Sequence, residues 1–406
     1  MGSFTERVTK GIRRRLDFSD KARIKRILKD PPAVRKDSIV FVSSDDYTGN
    51  PKALFLYMIE HGYNRKYKIT WLFEKRENYF EFNIPNVRSV YMWADVETGE
   101  QRTYESFKAV MSARYVFYSH NVNWVKRFSE DQTFVDLWHG CGYKGDLRSD
   151  KRRIYYDYLM VTGRKYIDIF RDVLKDPDGK ILDLGYPRNE FLFSTRSQAG
   201  ELIDRLKEKA GADRTVIWMP TYRKSTVARL DTDTAIGDTG LPVIYDAEAM
   251  KALDKECRDA GVIIIVKQHL LQQDYAVSPE ELSNIVFLSD RQLKERDADL
   301  YELMGQTDAL LTDYSSVAID YMLLDKPIGY TLDDFDQYED ARGWSFDNVK
   351  EYMPGHHIYT QDDLYQFIRD ISAGSDPYRS RRAEIIDDVQ TYKDGFSKRI
   401  LEYFGI

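Results

Sequence analysis

From residue 38 onward, short apolar runs alternate with longer amphipathic stretches along the chain. The runs are rich in β-branched and aromatic residues, which is typical of buried strands. The first half has predicted strands at 38–44, 68–74, 87–93, 114–120, 133–139 and 156–163. Segments 51–61 and 105–112 have helical spacing, and the first of them opens with Pro51. The alternation predicts a parallel sheet covered by helices.

The same alternation restarts beyond a polar, charge-rich stretch at 194–213. The second series has predicted strands at 215–219, 262–267, 285–289, 309–312 and 327–330. A chain of 406 residues exceeds the size at which one hydrophobic core stops growing. We therefore predict an α/β fold with two doubly wound, Rossmann-like domains that face a central cleft. The predicted domains are residues 31–200 and 201–375, and they lie between a basic arm at 1–30 and a closing helix at 376–406.

The N-terminal arm differs in charge from the rest of the chain. Its 30 residues hold ten Lys or Arg against four Asp or Glu, whereas the net charge of the whole chain is −7. Phe4, Val8, Ile12 and Leu16 recur every four residues beside an arginine run at 13–15. This pattern favours a short helix lying on anionic lipid. The alternative is a solvated arm packed on its own protein, and we expect neither a signal peptide nor a membrane span.

Residue types that bind metals or form disulfides are sparse. Cys141 and Cys257 are too few for a disulfide framework and form no CxxC motif, which indicates a reducing compartment. His356 and His357 have no well-spaced carboxylate or cysteine beside them, so we predict a solvated pair. We expect no metal and no cofactor.

One predicted strand ends at a histidine. His139 is followed by three glycines within six residues, at positions 140, 142 and 145. Glycines let the backbone approach a ligand closely. A histidine beyond a strand end, with an ordinary pKa near ~6.5, can accept a proton from an attacking hydroxyl at neutral pH. His139 is therefore a candidate general base, and a purely structural histidine is the alternative.

Two further strand ends carry cations. One strand ends in Lys267 and reaches His269, and another leads into Thr221 and Arg223. These side chains could meet a phosphate, Arg223 by a bidentate contact. The alternatives are a surface lysine with a helix-capping histidine, and a surface cation beside a turn.

A fourth strand runs into a polar turn and then into the start of a helix. The polar residues are Thr312, Asp313, Ser315 and Ser316. Serine hydroxyls and backbone N–H groups at a helix start can hold a phosphate. Asp320 follows within the first two helical turns, where its carboxylate could accept hydrogen bonds from sugar hydroxyls. Ordinary N-capping is an alternative that is compatible with phosphate binding.

Taken in order, these motifs resemble the CDP-glycerol glycerophosphotransferase family, which comprises teichoic acid primases, polymerases and related capsule enzymes. The resemblance covers residues 116–355. It is carried by Trp138-His139-Gly140, Met219-Pro220-Thr221-Tyr222-Arg223, Lys267-Gln268-His269, Thr312-Asp313-Tyr314-Ser315-Ser316, Asp320, Lys326-Pro327, Arg342-Gly343 and Met353-Pro354-Gly355.

The resemblance implies a GT-B architecture and transfer without a nucleotide-sugar metal site. An Asp-x-Asp triplet does occur at 297–299, but we predict it in a charged loop or helix. An acceptor hydroxyl would attack the β-phosphorus of CDP-glycerol or CDP-ribitol, with His139 and His269 as the catalytic residues. The implied donor-binding residues are Arg223, Thr221, Lys267, Thr312, Asp313, Ser315, Ser316 and, on the ribose, Asp320. Gly140 and Lys144 would lie on the acceptor side.

The chain departs from the family pattern at two places. Trp-His-Gly is followed by Cys141-Gly142-Tyr143-Lys144 rather than Thr-Pro-Leu-Lys, which bears on acceptor preference. Leu270 replaces the proline that usually follows the second histidine. The resemblance also implies an undecaprenyl-diphosphate-linked saccharide acceptor. The enzyme would meet it from the cytoplasm, at the inner face of the cell membrane, through the basic arm.

Two other functions stay open at this point. A GT-B glycosyltransferase would use a nucleotide sugar and attack a sugar carbon, and a panel of donors would distinguish it. A non-catalytic nucleotide- or polymer-binding protein would use the basic arm for nucleic acid. The acidic net charge argues against nucleic acid, as does the lack of a Lys/Arg stripe with interleaved aromatics beyond residue 30. Homo-oligomerisation is possible.

Overall fold

The structure, a computed structural model, describes residues 20–43, 45–93, 103–119, 127–145, 155–195, 198–221, 238–267 and 277–406. The first 19 residues of the arm, Arg223 and His269 lie outside the described residues. Predictions that rest on them stay predictions.

The first sheet is built from the N-terminal half of the chain. Its strands are all parallel and lie in the order β3-β2-β1-β4-β5-β6-β7. They are β1 (Arg35–Val42), β2 (Lys68–Phe73), β3 (Val87–Tyr91), β4 (Ala113–Tyr118), β5 (Thr133–Asp136), β6 (Tyr158–Met160) and β7 (Ile181–Leu182).

The second sheet repeats this arrangement. Its parallel strands lie in the order β10-β9-β8-β11-β12-β13, so the strand order reverses between β8 and β11, as it does between β1 and β4. They are β8 (Arg214–Met219), β9 (Val262–Lys267), β10 (Ile285–Leu288), β11 (Ala309–Thr312), β12 (Ile328–Thr331) and β13 (His356–Ile358). The predicted α/β fold with two Rossmann-like sheets is confirmed.

Helices connect the strands and cover the sheets. In the first half they are α1 (20–29), α2 (Gly49–Glu60), α3 (Tyr104–Ser112) and α4 (Lys165–Leu174). The later ones are α5 (Gln198–Ala210), α6 (Ala247–Asp259), α7 (Asp290–Glu295), α8 (Leu300–Gln306), α9 (Val317–Tyr321), α10 (Phe335–Arg342), α11 (Gln361–Ala373), α12 (Arg379–Val389) and α13 (Phe396–Tyr403).

The C-terminal segment, predicted as one closing helix, forms the two helices α12 and α13. Both return to the first sheet. The backbone N–H of Thr391 donates to the Thr162 carbonyl at 3.0 Å, and the Ser397 N–H donates to the Glu190 carboxylate at 2.9 Å. A Cβ on Gly163 would lie 2.3 Å from the Val389 backbone, so the absence of a side chain there permits the approach. The chain end therefore fastens the second half of the protein to the first.

The prediction of a solvated His356–His357 pair is wrong. Both residues belong to β13 and are partly buried. Nε2 of His356 lies 3.4 Å from a carboxylate oxygen of Asp370, and Nε2 of His357 lies 3.0 Å from the Met353 carbonyl. Burial lowers the pKa of both histidines. The two rings therefore help to pack an edge strand.

Membrane insertion was not expected from the sequence. Within the part of the chain that the structure describes, every helix is too short or too polar to cross a membrane.

Candidate active site

The motifs that the sequence analysis assigned to the site lie at the carboxyl ends of parallel strands. The His139 turn follows β5 of the first sheet, and Thr221 and Ser315 follow β8 and β11 of the second. Because β8 and β11 are neighbours at the point where the strand order reverses, their carboxyl ends form the crevice in which such sheets bind ligands. The sequence placed these motifs at strand ends, and the fold brings three of them to the crevice.

The backbone of the His139 turn is held in an uncommon conformation. Trp138 has a φ of 52°, which is a left-handed conformation that a bulky side chain rarely adopts. Its N–H donates to Oδ1 of Asp136 at 2.8 Å, and its indole Nε1 donates to the Gly140 carbonyl at 3.0 Å. The His139 ring is exposed and stacks on the Trp138 ring, with 4.4 Å between centroids. The turn therefore presents the imidazole towards solvent.

Asp136, at the end of β5, is a buried acid beside the candidate base. It is 0% exposed, and its Oδ2 atom has no hydrogen-bond partner among the described residues. Burial raises the pKa of Asp136 to about 8, although the bond from the Trp138 N–H opposes the shift. Burial therefore favours the neutral form of this carboxyl group, which lies two residues before Trp138 of the turn.

Sequence reasoning missed Asn50. Its amide nitrogen donates to the carbonyl oxygens of Leu137 and Trp138, both at 2.9 Å, and its Oδ1 accepts from the backbone N–H of Arg188 at 3.2 Å. The side chain is buried. An asparagine just before Pro51 at a helix start looks like an ordinary helix cap, so the sequence carried no signal for this role.

Glycines allow the His139 turn of the first sheet to approach the serine turn of the second sheet, residues 313–316, closely. A Cβ on Gly140 would lie 2.3 Å from Oγ of Ser316, and one on Gly142 would lie 3.0 Å from the Ser316 Cβ. A side chain at position 140 would force Ser316 to move, and one at position 142 would be tight against it. Two motifs separated by more than 170 residues in the sequence are therefore in van der Waals contact across the domain junction.

Tyr143 explains part of the departure from the family pattern after Gly140. Its side chain is 0% exposed, and its hydroxyl donates to the Tyr352 carbonyl at 3.0 Å. Its ring packs edge-on against Tyr330 of the second sheet, with 6.4 Å between centroids. Lys144 pairs in an antiparallel bridge with Trp344. This segment joins the two domains, so the departure at Tyr143 acts on the domain junction.

A buried tyrosine holds the serine turn. Tyr314 is 0% exposed and donates its hydroxyl to Asp334 at 2.8 Å. Ser315 and Ser316 are half-buried and precede α9, and the Ser316 side chain makes no capping hydrogen bond. The sequence prediction that both serines stand at a helix start is confirmed.

Three predicted donor-binding residues, Thr221, Thr312 and Asp313, form hydrogen bonds within the protein. Asp313 is 0% exposed and accepts from the backbone N–H and the hydroxyl of Thr221, at 2.7 and 2.6 Å. The buried Thr312 hydroxyl donates to the Met219 carbonyl at 2.7 Å. The polar atoms of Thr312 and Asp313 therefore join the β8 turn to the β11 turn, and their donor contacts stay predictions.

Asp320, the predicted ribose contact, is held by other parts of the protein, and its contact with a ribose stays a prediction. Its side chain is 1% exposed, and both oxygens are occupied. Oδ2 accepts from Arg188 at 2.8 Å and from the Tyr301 hydroxyl at 2.7 Å, and Oδ1 accepts from Asn189 at 3.1 Å. Spacing along the helix was read correctly, but the sequence could not show that Arg188, 132 residues away, occupies the carboxylate. Asp320 belongs to a buried ion pair at the domain junction.

Lys267 ends β9 as predicted. Its side chain is only 7% exposed, and its Nζ lies 2.8 Å from a carboxylate oxygen of Asp290, the first residue of α7. An amine in that ion pair is less available to a ligand than an exposed one, and the donor contact of Lys267 stays a prediction.

Comparison with known proteins supplies the family context. A family model described as CDP-Glycerol:Poly(glycerophosphate) glycerophosphotransferase matches residues 23–404. A teichoic acid glycerol-phosphate transferase of Staphylococcus aureus (strain NCTC 8325 / PS 47) is 26% identical over 398 residues, with 90% of this chain and 92% of the relative covered. A teichoic acid poly(glycerol phosphate) polymerase of Bacillus subtilis (strain 168) is 24% identical, and the match spans 84% of this chain but 44% of the polymerase.

A solved structure of the wall teichoic acid polymerase TagF has the same overall fold. Its TM-score is 0.70 at 22% identity, with 99% of this chain and 96% of that chain covered. The similarity extends over both sheets and establishes a GT-B-like fold.

Proposed function

Because the chain belongs to the CDP-glycerol:poly(glycerophosphate) glycerophosphotransferase family, we propose that it transfers glycerol phosphate from CDP-glycerol to a hydroxyl of a lipid-linked wall teichoic acid or capsule acceptor, releasing CMP. Ribitol phosphate from CDP-ribitol is the alternative donor group. The observation that supports this proposal most is the packing of Gly140 against Ser316, because it sets an exposed imidazole beside a serine turn at a helix start.

In the proposed reaction, His139 takes the proton from the acceptor hydroxyl as that oxygen attacks the β-phosphorus of the donor. The new oxygen–phosphorus bond forms the phosphodiester, and the bond to the bridging oxygen breaks. CMP leaves with that electron pair on its phosphate. Transfer of this kind depends on positioning and on neutralisation of charge. No cofactor is proposed.

The donor diphosphate would contact groups of the second domain. We assign this role to His269, Arg223, Ser315 and Ser316, with Lys267 as a weaker contact. The first two lie outside the described residues, so their assignment rests on the family motifs. We also assign Thr221 to the donor side, and Asp313 accepts hydrogen bonds from its backbone N–H and hydroxyl. Gly140 and Lys144 would face the acceptor.

A donor panel tests this function. We expect CMP release from CDP-glycerol or CDP-ribitol only when a soluble prenyl-diphosphate disaccharide acceptor is present. UDP-sugars serve as the comparison, since a GT-B glycosyltransferase would release UDP from one of them. Acceptor-dependent UDP release, or no CMP from either CDP-polyol with a protein that is folded by circular dichroism, would contradict the proposal.

We further propose that the basic arm holds the enzyme on the inner face of the cell membrane. The described part of the arm, α1, exposes Leu28 and several cations. Asp20 accepts from the Tyr104 N–H at 3.0 Å, and the Arg23 guanidinium lies 3.7 Å from the Tyr104 ring centroid. Tyr104 begins α3, which follows a strand of the first sheet, so the arm joins the domain on the side of the strand carboxyl ends. A lipid-linked acceptor would therefore meet the site close to the membrane.

Vesicle binding tests the arm. Reversing the charge of Arg13, Arg14 and Arg15 to glutamate should weaken binding to phosphatidylglycerol-containing vesicles by about 100-fold or more, since each cation near an anionic surface contributes about 1 kcal/mol. The matched control reverses three cations of α5, Arg205, Lys207 and Lys209, and should bind like the wild type. Equal binding of both variants in a co-sedimentation assay would disprove the arm's role.

A further inference from the structure

The side chain of Asn50 connects three segments that are far apart in the sequence. Its amide nitrogen donates to two successive carbonyls of the His139 turn, 87 and 88 residues away, and its oxygen accepts from Arg188, 138 residues away. The residue is 1% exposed, so all three bonds form out of contact with water. A primary amide supplies two N–H donors and one oxygen acceptor in a fixed plane, which suits this set of partners.

The two carbonyls belong to the residues that set the direction of the turn. Leu137 continues β5, and its N–H still bonds to the Tyr118 carbonyl at 2.7 Å. Trp138 then takes the left-handed conformation, with a φ of 52°. A left-handed residue with a Cβ costs roughly 1–2 kcal/mol and persists only where its surroundings hold it. The Asn50 amide fixes the carbonyl side of Trp138, and Asp136 fixes its N–H side.

The next residue is His139, so the left-handed residue decides where the imidazole lies. If the Trp138 backbone relaxed to an ordinary extended conformation, the chain after it would turn away from Ser316. The stacking of the His139 ring on Trp138 would be lost with it. Catalytic geometry is sensitive to such changes, because a misplacement of about 1 Å can cost 100-fold in rate.

We propose that Asn50 is a positioning residue for His139, which holds the left-handed turn after β5 through two hydrogen bonds to successive carbonyls and joins it to the Arg188 backbone. This inference rests on the proposed function for its kinetic consequence, and on geometry alone for its effect on the imidazole. Through Arg188, the same amide is linked to the ion pair with Asp320. Asn50 and Arg188 therefore connect the His139 turn of the first sheet to Asp320, which follows β11 of the second sheet.

The test compares Asn50→Ala with Asn284→Ala. Asn284 is the matched control because it is also 1% exposed and donates its amide to a backbone carbonyl, that of Val262 at 2.9 Å. It lies at the amino ends of β9 and β10, the edge opposite the site. Both variants lose a buried amide of the same kind, so general destabilisation is matched.

For Asn50→Ala we expect kcat for CMP release to fall about 10–100-fold, with the donor KM within about threefold of wild type. Asn284→Ala should keep kcat within about threefold. Nitrogen-15 histidine spectra give a second readout that does not depend on turnover, because the chain has only six histidines to assign. The His139 signals should shift in Asn50→Ala and stay in place in Asn284→Ala.

Unshifted His139 signals in Asn50→Ala, or equal losses of kcat in both variants, would overturn the proposal. If no donor were turned over at all, the spectra would still decide the role of Asn50, so its failure is distinguishable from failure of the proposed function. Should Asn50→Ala not fold, Asn50→Asp keeps the volume and the oxygen that accepts from Arg188. It loses the paired N–H donors, so the same shift of the His139 signals is expected.

Discussion

Replacing His139 with alanine should lower the rate of acceptor-dependent CMP release by about 100- to 10,000-fold, the usual contribution of a positioned general base. The imidazole is the exposed group at the centre of the site, on a turn that the structure holds in an uncommon conformation. Removing it leaves donor binding intact, because the serine turn and the β8 turn belong to the other sheet. The loss should therefore appear in kcat, while the donor KM changes little.

His61→Ala is the matched control for this experiment. His61 is also exposed and also stacks on an aromatic ring, that of Tyr57 at 3.9 Å between centroids. It lies beyond the C-terminal end of α2, whereas Asn50 and the His139 turn lie at the other end of that helix. We expect wild-type turnover in His61→Ala. Turnover within threefold of wild type in His139→Ala would remove His139 from the mechanism.

The fold could be predicted largely because most of its strands are continuous, buried apolar runs. Strands such as β9 and β11 are continuous apolar runs, and their predicted bounds agree with the structure. The two strands that were missed, β7 and β13, have two and three residues and lie at sheet edges. The two residues of β7 are too few to show a pattern, and β13 begins with two histidines, which are not typical of a buried strand. Such strands exist because a neighbour offers backbone hydrogen bonds, which is a tertiary effect.

The sequence was sufficient to predict which turns come together at the candidate site. Parallel strands place their carboxyl ends on one edge, so the turns after β5, β8 and β11 could be assigned to a cleft from their order alone. What the sequence could not show is how each polar atom is used. Thr312, Asp313 and Asp320 have the same chemistry as ligand contacts, yet their partners are other parts of the protein. Those partners come from chain segments about 90 to 130 residues away.

Asn50 is the opposite case, a residue of the candidate site that sequence reasoning did not single out. Its type and position fit a helix cap, which is a local role that sequence reasoning accepts without further search. In the structure its neighbours are the His139 turn and Arg188, and the N-cap position of α2 belongs to Thr48. A buried amide that reaches distant carbonyls leaves no periodic mark in the sequence, so only the folded chain reveals it.

The second large effect concerns the ion pair between Arg188 and Asp320. Asp320→Ala should lower the free energy of unfolding by about 3–5 kcal/mol, because removing one partner leaves the other charge buried without compensation. The Arg188 side chain is 12% exposed, and the Tyr301 ring, 4.7 Å from the guanidinium, cannot replace a carboxylate. The Tyr301 hydroxyl and the Asn189 amide would lose their acceptor as well. Urea denaturation measures the change.

A double variant separates the ion pair from the space it fills. Arg188→Met combined with Asp320→Leu removes both charges and keeps most of the volume, so it should be clearly more stable than Asp320→Ala. An exposed pair, Lys251 with Glu281 at 2.7 Å, gives the matched control, and Glu281→Ala should change stability by at most about 1 kcal/mol. If Asp320→Ala were as mild as Glu281→Ala, the pair would not fasten the domain junction. That outcome would favour the predicted ribose contact of Asp320, because a carboxylate that the fold does not require would be available to a ligand.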